Sequence, residues 1–201
     1  MTHDLFIALL GFAFVTSVTP GPNNMMLMAS GANFGVRRTL PHLLGVSLGH
    51  ALMVFLVGLG LSGLFHRWPQ AMLALKLASV AYMLWLAWKI AHAAPQGLAS
   101  GSGAATSRPF TFLQAAAFQW VNPKAWAMAL GATSAYAASG TVQAVVIVSM
   151  AFAAVNLPSV TLWAAAGEAL RRWLADPAQL RLFNWTMAGL LVLSLIPVLH
   201  M

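Results

Sequence analysis

The chain has 201 residues, 60% of them hydrophobic and 6% charged. Soluble domains carry about 25% charged residues, so this composition excludes a water-facing surface and makes a bilayer the natural solvent. The net charge of +7 comes from ten Lys and Arg scattered between apolar runs, a pattern of topology signals rather than a nucleic-acid face, and the lack of cysteine excludes disulfides, thiolate metal sites and thiol redox chemistry.

A helix crosses the hydrocarbon core in about 20 residues. The chain opens with Met1–Asp4, which has no Lys or Arg, and the apolar run after it is too long for the core of a signal peptide. The first helix is therefore expected to be retained. The apolar runs predict an all-α membrane protein of six spans: Leu5–Ser30, Leu43–Phe65, Gln70–Ile90, Phe112–Tyr136, Val142–Leu170 and Leu180–His200. The uncharged stretch from Ala125 to Gly167 is too long for one helix, and the small polar run Ala137–Thr141 is the predicted turn within it.

The charges orient these spans. Arg37 and Arg38 fall in the first loop, Lys89 and Arg108 flank the third, and Arg171, Arg172 and Arg181 bound the fifth. The second loop has Arg67 alone, the fourth has no charge, and Lys76 and Lys124 fall within spans. The positive-inside rule then places loops one, three and five in the cytoplasm and both termini outside. The third loop, residues 93–109, is small-residue and flexible in composition. It divides one polytopic domain into two halves of three spans, residues 1–95 and 110–201.

Each half opens with a proline-broken helix, Phe14–Pro20 in span one and Ala117–Pro123 in span four. Three spans per half make the second half run inverted through the membrane. Inverted repeats with broken helices at matching positions are a transporter signature. Proline removes an amide and frees a carbonyl of the preceding turn. Such backbone is tolerated at membrane depth only against protein or a water-filled cavity. Beyond each break a new half-helix starts, with free N–H groups and the positive end of its dipole. Two such ends facing one central point suit a carboxylate. The alternative is that each proline only kinks a helix for packing.

The candidate substrate site is therefore Thr19, Pro20, Gly21, Pro22, Asn23 and Asn24 at the first break. Asn122, Pro123 and Lys124 complete it at the second. An intramembrane lysine is a functional hypothesis by default, here a partner for the substrate carboxylate, with capping of freed carbonyls as its structural alternative. The asparagines offer donors and acceptors to a zwitterion, or equally to broken backbone. Asn156, just before Pro158, marks a further irregularity in span five that lines the same cavity or bonds between helices. His50 in span two titrates near neutral pH, which makes it the candidate proton carrier. The alternative is a neutral histidine hydrogen-bonded between helices. Trp120 and Trp126 flank the second break and line the path or serve as packing. Trp68, Trp88, Trp173 and Trp185 lie near span ends, as interfacial anchors do. The Gly31/Gly35 and Gly45/Gly49 pairs have the spacing of close helix contacts, within one subunit or in a homodimer.

At these residues the chain resembles the LysE/RhtB superfamily of amino-acid exporters. The resemblance rests on Thr19–Asn24 (TPGPNN), Ala29–Gly49, Ala81–Ile90 and Val121–Trp126 (VNPKAW), and covers about Leu5 to Leu195. It is nearest to the branch that includes cysteine and O-acetylserine exporters. It implies six spans in an inner membrane and efflux of amino acids or derivatives, usually driven by the proton gradient, with no cofactor or metal. The three acidic residues, Asp4, Glu168 and Asp176, sit at ends or in loops. No carboxylate is then available mid-membrane to hold a cationic substrate, so a neutral zwitterion fits better.

The expected function is a secondary transporter exporting neutral amino acids or derivatives. An enzyme would need a catalytic constellation, and the six histidines are scattered with no acidic pair. A passive channel, a non-transporting scaffold, or a transporter of a cationic amino acid or unrelated solute shares most of these features and is the competing reading.

Overall fold

Thr2 opens the first helix, its hydroxyl accepting the amide of Leu5 at 3.3 Å. The computed structural model describes residues 1–61, 63, 67–92, 108–171 and 173–196, and among these the chain forms α-helices and short helical turns with no strand. Helix α1 (His3–Val18) stops where Pro20 forces the preceding residue out of helical space, and Thr19 is extended with ψ 138°. Helix α2 (Pro22–Phe34) restarts with proline in its first position, where the missing amide costs nothing. The two helices meet at 57°.

Gly35, with φ 79°, turns the chain in a single residue into α3 (Val36–Leu56), which continues as a π-helical segment to Leu61. Helix α4 spans Pro69–Ala91. The short α5 (Phe112–Phe118) opens with a capping box of Thr111 and Gln114 and tightens into a 3-10 turn, Gln119–Val121. Asn122 is extended, and α6 (Pro123–Tyr136) again restarts on proline. Thr141 caps α7 (Val142–Leu170), and Asp176 caps α8 (Pro177–Leu193).

Both expected helix breaks are therefore present, and the turn at Ala137–Thr141 separates α6 from α7. Arg37 and Arg38, expected in a loop, instead occupy the first turn of α3, because Gly35 makes the whole connection. Helix α7 runs unbroken through Pro158, so the irregularity expected in span five is confined to bonding, not helix continuity. Among the described residues two helices, Val36–Leu61 and Val142–Leu170, are long and apolar enough to cross a membrane, and α1 with α2 makes a third if counted as one bent span. Most of the third loop, Arg172, His66 and the end of the sixth span lie outside the described residues.

Helix α7 packs on α1, α2 and α3, while α5 packs on α3 and α8 on α4. Glycine makes the tightest approaches. A Cβ on Gly31 would lie 2.0 Å from the Ala164 carbonyl oxygen, and one on Gly167 would lie 2.0 Å from that of Met28. Gly45 and Gly49 similarly admit Phe112 and Ala116 of α5, so their spacing serves packing within the chain. The surface is apolar, with Leu113 75% and Leu182 70% exposed, while Asn24, Gln119, Asn122 and Asn156 are buried. The four end tryptophans are all exposed. Polar-in and apolar-out is the arrangement a hydrocarbon solvent selects.

Candidate functional site

The first break frees carbonyls at the end of α1, and those of Ser17, Val18 and Thr19 find side-chain partners. Ser17 O and Thr19 O accept from Asn24 Nδ2 at 2.9 and 2.8 Å. Val18 O accepts from the indole of Trp163 at 3.1 Å. Thr19 O also accepts from Lys124 Nζ, which lies 3.4 Å from Pro20 O. The Thr19 hydroxyl turns back to Val15 O. Pro20 and Thr19 remain exposed, whereas Pro22 and Asn24 are buried.

The second break is held more locally. Asn122 Oδ1 accepts the Lys124 amide at 3.1 Å, an N-cap for α6. The indole of Trp126 donates to Trp120 O at 2.9 Å, and the two rings stand edge to face with centroids 6.0 Å apart. Both tryptophans pack against the apolar cluster of α1, α3, α6 and α7.

Besides Lys124 Nζ on Thr19 O, two contacts join the breaks. Asn23 and Gln119 form a reciprocal amide pair, at 2.8 Å from Asn23 Nδ2 and 3.2 Å from Gln119 Nε2. Lys124 lies along Gly21, so closely that a Cβ on Gly21 would come within 2.6 Å of Lys124 Cδ. The starts of α2 and α6, with Pro22 and Pro123 in the first positions, are thus brought to one place. Asn23 and Asn24 precede the first intrahelical bond of α2, which Met25 donates to Gly21 O. Amides at such positions have no partner within the helix.

Around this junction is a cavity of about 20 Å³, bordered by Ser17, Asn24, His50, Lys124 and Asn156. It has room for a water and not for an amino acid. Asn156 donates to Ser17 Oγ at 3.0 Å. Its Oδ1 and both ring nitrogens of His50 are buried with no partner among the described residues. The interhelical hydrogen bond weighed for His50 is thus not made there, and its ring instead stands edge-on to Phe152 at 5.3 Å. Buried polar atoms nearly always have partners, so these three mark where a guest would bond. The local field is positive: one ammonium, two helix N-termini and no bordering carboxylate. Among the described residues no three His, Asp or Glu side chains are placed to hold a metal ion.

Sequence reasoning missed Gln119 and Ser17. Gln119 is fully buried, and its only signal was an amide side chain three residues before Asn122. Ser17 carried no signal beyond its place in the last turn before Pro20.

Residues 14–197 match the model of the family described as LysE type translocator. A cysteine/O-acetylserine efflux protein of Klebsiella pneumoniae is 32% identical over 195 residues, covering 96% of this chain and 95% of that protein. Proteins with the same name in Escherichia coli K12 and Shigella sonnei are 32% identical over 203 residues, with both chains covered in full. No solved structure matches.

Proposed function

The chain belongs to the family of LysE type translocators, and from that premise we propose that it is a secondary transporter exporting neutral amino acids or their derivatives from the cytoplasm. The observation that carries this reading is the meeting of two proline-started helices at Lys124, beside a cavity where the His50 ring nitrogens and Asn156 Oδ1 have no partner among the described residues and no acidic side chain borders. The substrate carboxylate binds Lys124 and the amides at the starts of α2 and α6. The α-ammonium is received by Asn156 Oδ1 and an unprotonated nitrogen of His50. The relatives named for cysteine and O-acetylserine handle zwitterions of this kind.

Lys124 then has two partners in turn. Without substrate it holds the Thr19 carbonyl. With substrate it turns to the carboxylate, and Asn24 keeps Thr19 O satisfied. Since the present cavity holds about one water, loading requires the halves to part. We place the six spans as two inverted three-helix halves, in the inner membrane, with both termini outside and loops one, three and five cytoplasmic. Alternating access rocks one half against the other around the breaks. Proton coupling runs through His50.

Counterflow in proteoliposomes tests the proposal. Vesicles are loaded with unlabelled cysteine, O-acetylserine, threonine, homoserine, leucine or lysine, and labelled uptake is followed with and without a pH gradient. Saturable exchange of neutral members but not lysine is expected. The Lys124→Ala variant is expected to insert, fold and exchange nothing. Absence of exchange by folded wild-type protein would move the reading to a scaffold, and normal exchange by Lys124→Ala would remove the lysine from the mechanism.

A further inference from the structure

A second, larger cavity of about 100 Å³ opens away from the helix breaks, between α2, α3, α4 and the segment before α5. Its walls are apolar, Met26 and Phe110 among them. Its floor is polar, with Asn33 and His42, and two exposed cations, Lys89 and Arg108, stand at its rim. The reading of the breaks uses none of these polar groups. Lys89 lies over the ring of Trp85, 4.8 Å from its centroid.

The floor carries vacancies. His42 is 2% exposed and neither ring nitrogen has a partner among the described residues. Asn33 is 8% exposed. Its Nδ2 donates to Ala29 O at 2.8 Å and lies 3.4 Å from Asn184 Oδ1, but its own Oδ1 has no partner among the described residues. A neutral imidazole has one donor and one acceptor nitrogen. The floor therefore offers two acceptors, which suit an ammonium, and the rim offers two cations, which suit a carboxylate. An α-amino acid carries both groups at short separation. The volume admits a small one, where the cavity at the breaks admits a water.

The two cavities share a rail. Asn23, which borders the small cavity, and Met26, Ser30 and Asn33, which border the large one, follow each other along α2 at helical spacing. Ten residues of helix separate Asn23 from Asn33, roughly 15 Å at 1.5 Å per residue. Between them the wall is Met26, whose flexible side chain is suited to moving aside.

We propose that the cavity at Asn33, His42, Lys89 and Arg108 is a loading station for the zwitterionic substrate, occupied before the substrate moves along α2, past Met26, to the helix breaks. The proposal rests on the exporter reading and adds a second binding site to it. At this station the carboxylate sits between Lys89 and Arg108, and the ammonium on Asn33 Oδ1 and His42.

The test uses the full chain in lipid nanodiscs and proteoliposomes, with labelled O-acetyl-L-serine as probe. Lys89→Gln/Arg108→Gln changes exposed rim residues and spares the packed floor. Wild-type protein is expected to bind two molecules per chain at a concentration just sufficient to fill both sites, and the double variant and Lys124→Ala close to one each at that concentration. In counterflow the double variant is expected to show KM raised about tenfold, as for loss of a charge-assisted hydrogen bond, with kcat unchanged. One molecule per chain in wild type with exchange intact would overturn the loading station and leave the exporter standing. Two molecules retained by the double variant would overturn it as well. So would a phospholipid that co-purifies with wild type, is lost in the double variant and resists O-acetylserine, because the rim would then hold a lipid headgroup. No binding and no exchange in wild type would remove the exporter reading, and this inference with it.

Discussion

Gly21 is where the two helix breaks touch, and replacing it with alanine isolates that contact. Its φ of −177° is ordinary extended backbone, so the substitution introduces no conformational strain. The added methyl would lie 2.6 Å from Lys124 Cδ and 3.1 Å from Nζ. Contact becomes ordinary at 3.4 Å, so the lysine stem must retreat by about 0.8 Å, the difference between 3.4 and 2.6. That withdraws Nζ from Thr19 O. A hydrogen bond from a charged donor contributes about 1.5–3 kcal/mol. The lower end applies here, because Lys124 is only partly buried and Thr19 O keeps Asn24 Nδ2. Against this loss, Gly→Ala restricts the unfolded chain and returns about 0.4–1 kcal/mol. The single variant is therefore expected to lose about 1 kcal/mol, and Lys124→Ala about 1.5 kcal/mol. The double variant is expected to be no less stable than Lys124→Ala, since the stem that the methyl strikes is gone. The assay is the thermal midpoint of purified protein by tryptophan fluorescence, to which the eight tryptophans contribute. For a chain of this size 1 kcal/mol moves the midpoint by roughly 2–4 °C. Effects of Gly21→Ala and Lys124→Ala that add within about 0.5 kcal/mol would show that the contact does not exist.

Gly31→Ala places a methyl 2.0 Å from the Ala164 carbonyl oxygen, part of the backbone of α7. Overpacking of this kind costs about 1–3 kcal/mol, and a midpoint within a degree of wild type would contradict the close approach of α2 and α7. Gln119→Leu strips Asn23 of both its amide partners and is expected to cost about 1–3 kcal/mol. Part of that cost should return in Asn23→Leu/Gln119→Leu, and a double variant worse than the sum of the singles would argue against the pairing. His50→Leu removes no hydrogen bond seen among the described residues, so its midpoint should change little, while counterflow should lose any response to a pH gradient. A retained response excludes His50 as the proton carrier.

The breaks were legible because proline acts locally: no amide, a fixed φ and a constrained predecessor are properties of residues 19–24 and 122–124 alone. The same holds for the turn at Ala137–Thr141, where small polar residues interrupt an apolar run. What needed the fold was whatever depends on two distant segments. Gln119 meets Asn23 across 96 residues, and no pattern in either segment names the other. His42 read as one scattered histidine at the edge of the second span. It became a buried floor residue because Gly35 joins α2 to α3 without a loop and so draws the first turns of α3 against α2. Arg37 and Arg38 were misplaced for the same reason.

Lys124 shows why composition alone left two roles open. An ammonium and freed carbonyls attract each other whatever else the site does, so capping is expected of any lysine placed there. The structure bears capping out, yet it does so with redundancy: Thr19 O has Asn24 as well as Lys124. A lysine that alone satisfied the break could not leave it without exposing a bare carbonyl. One that shares Thr19 O with Asn24, and whose other contact is exposed Pro20 at 3.4 Å, exchanges a carbonyl for a carboxylate at small cost. The unpartnered atoms of Asn156 and His50 lie on the same cavity, where the other end of a bound zwitterion would need them. Redundancy at the carbonyls and vacancy across the cavity are together what a purely structural lysine would not require.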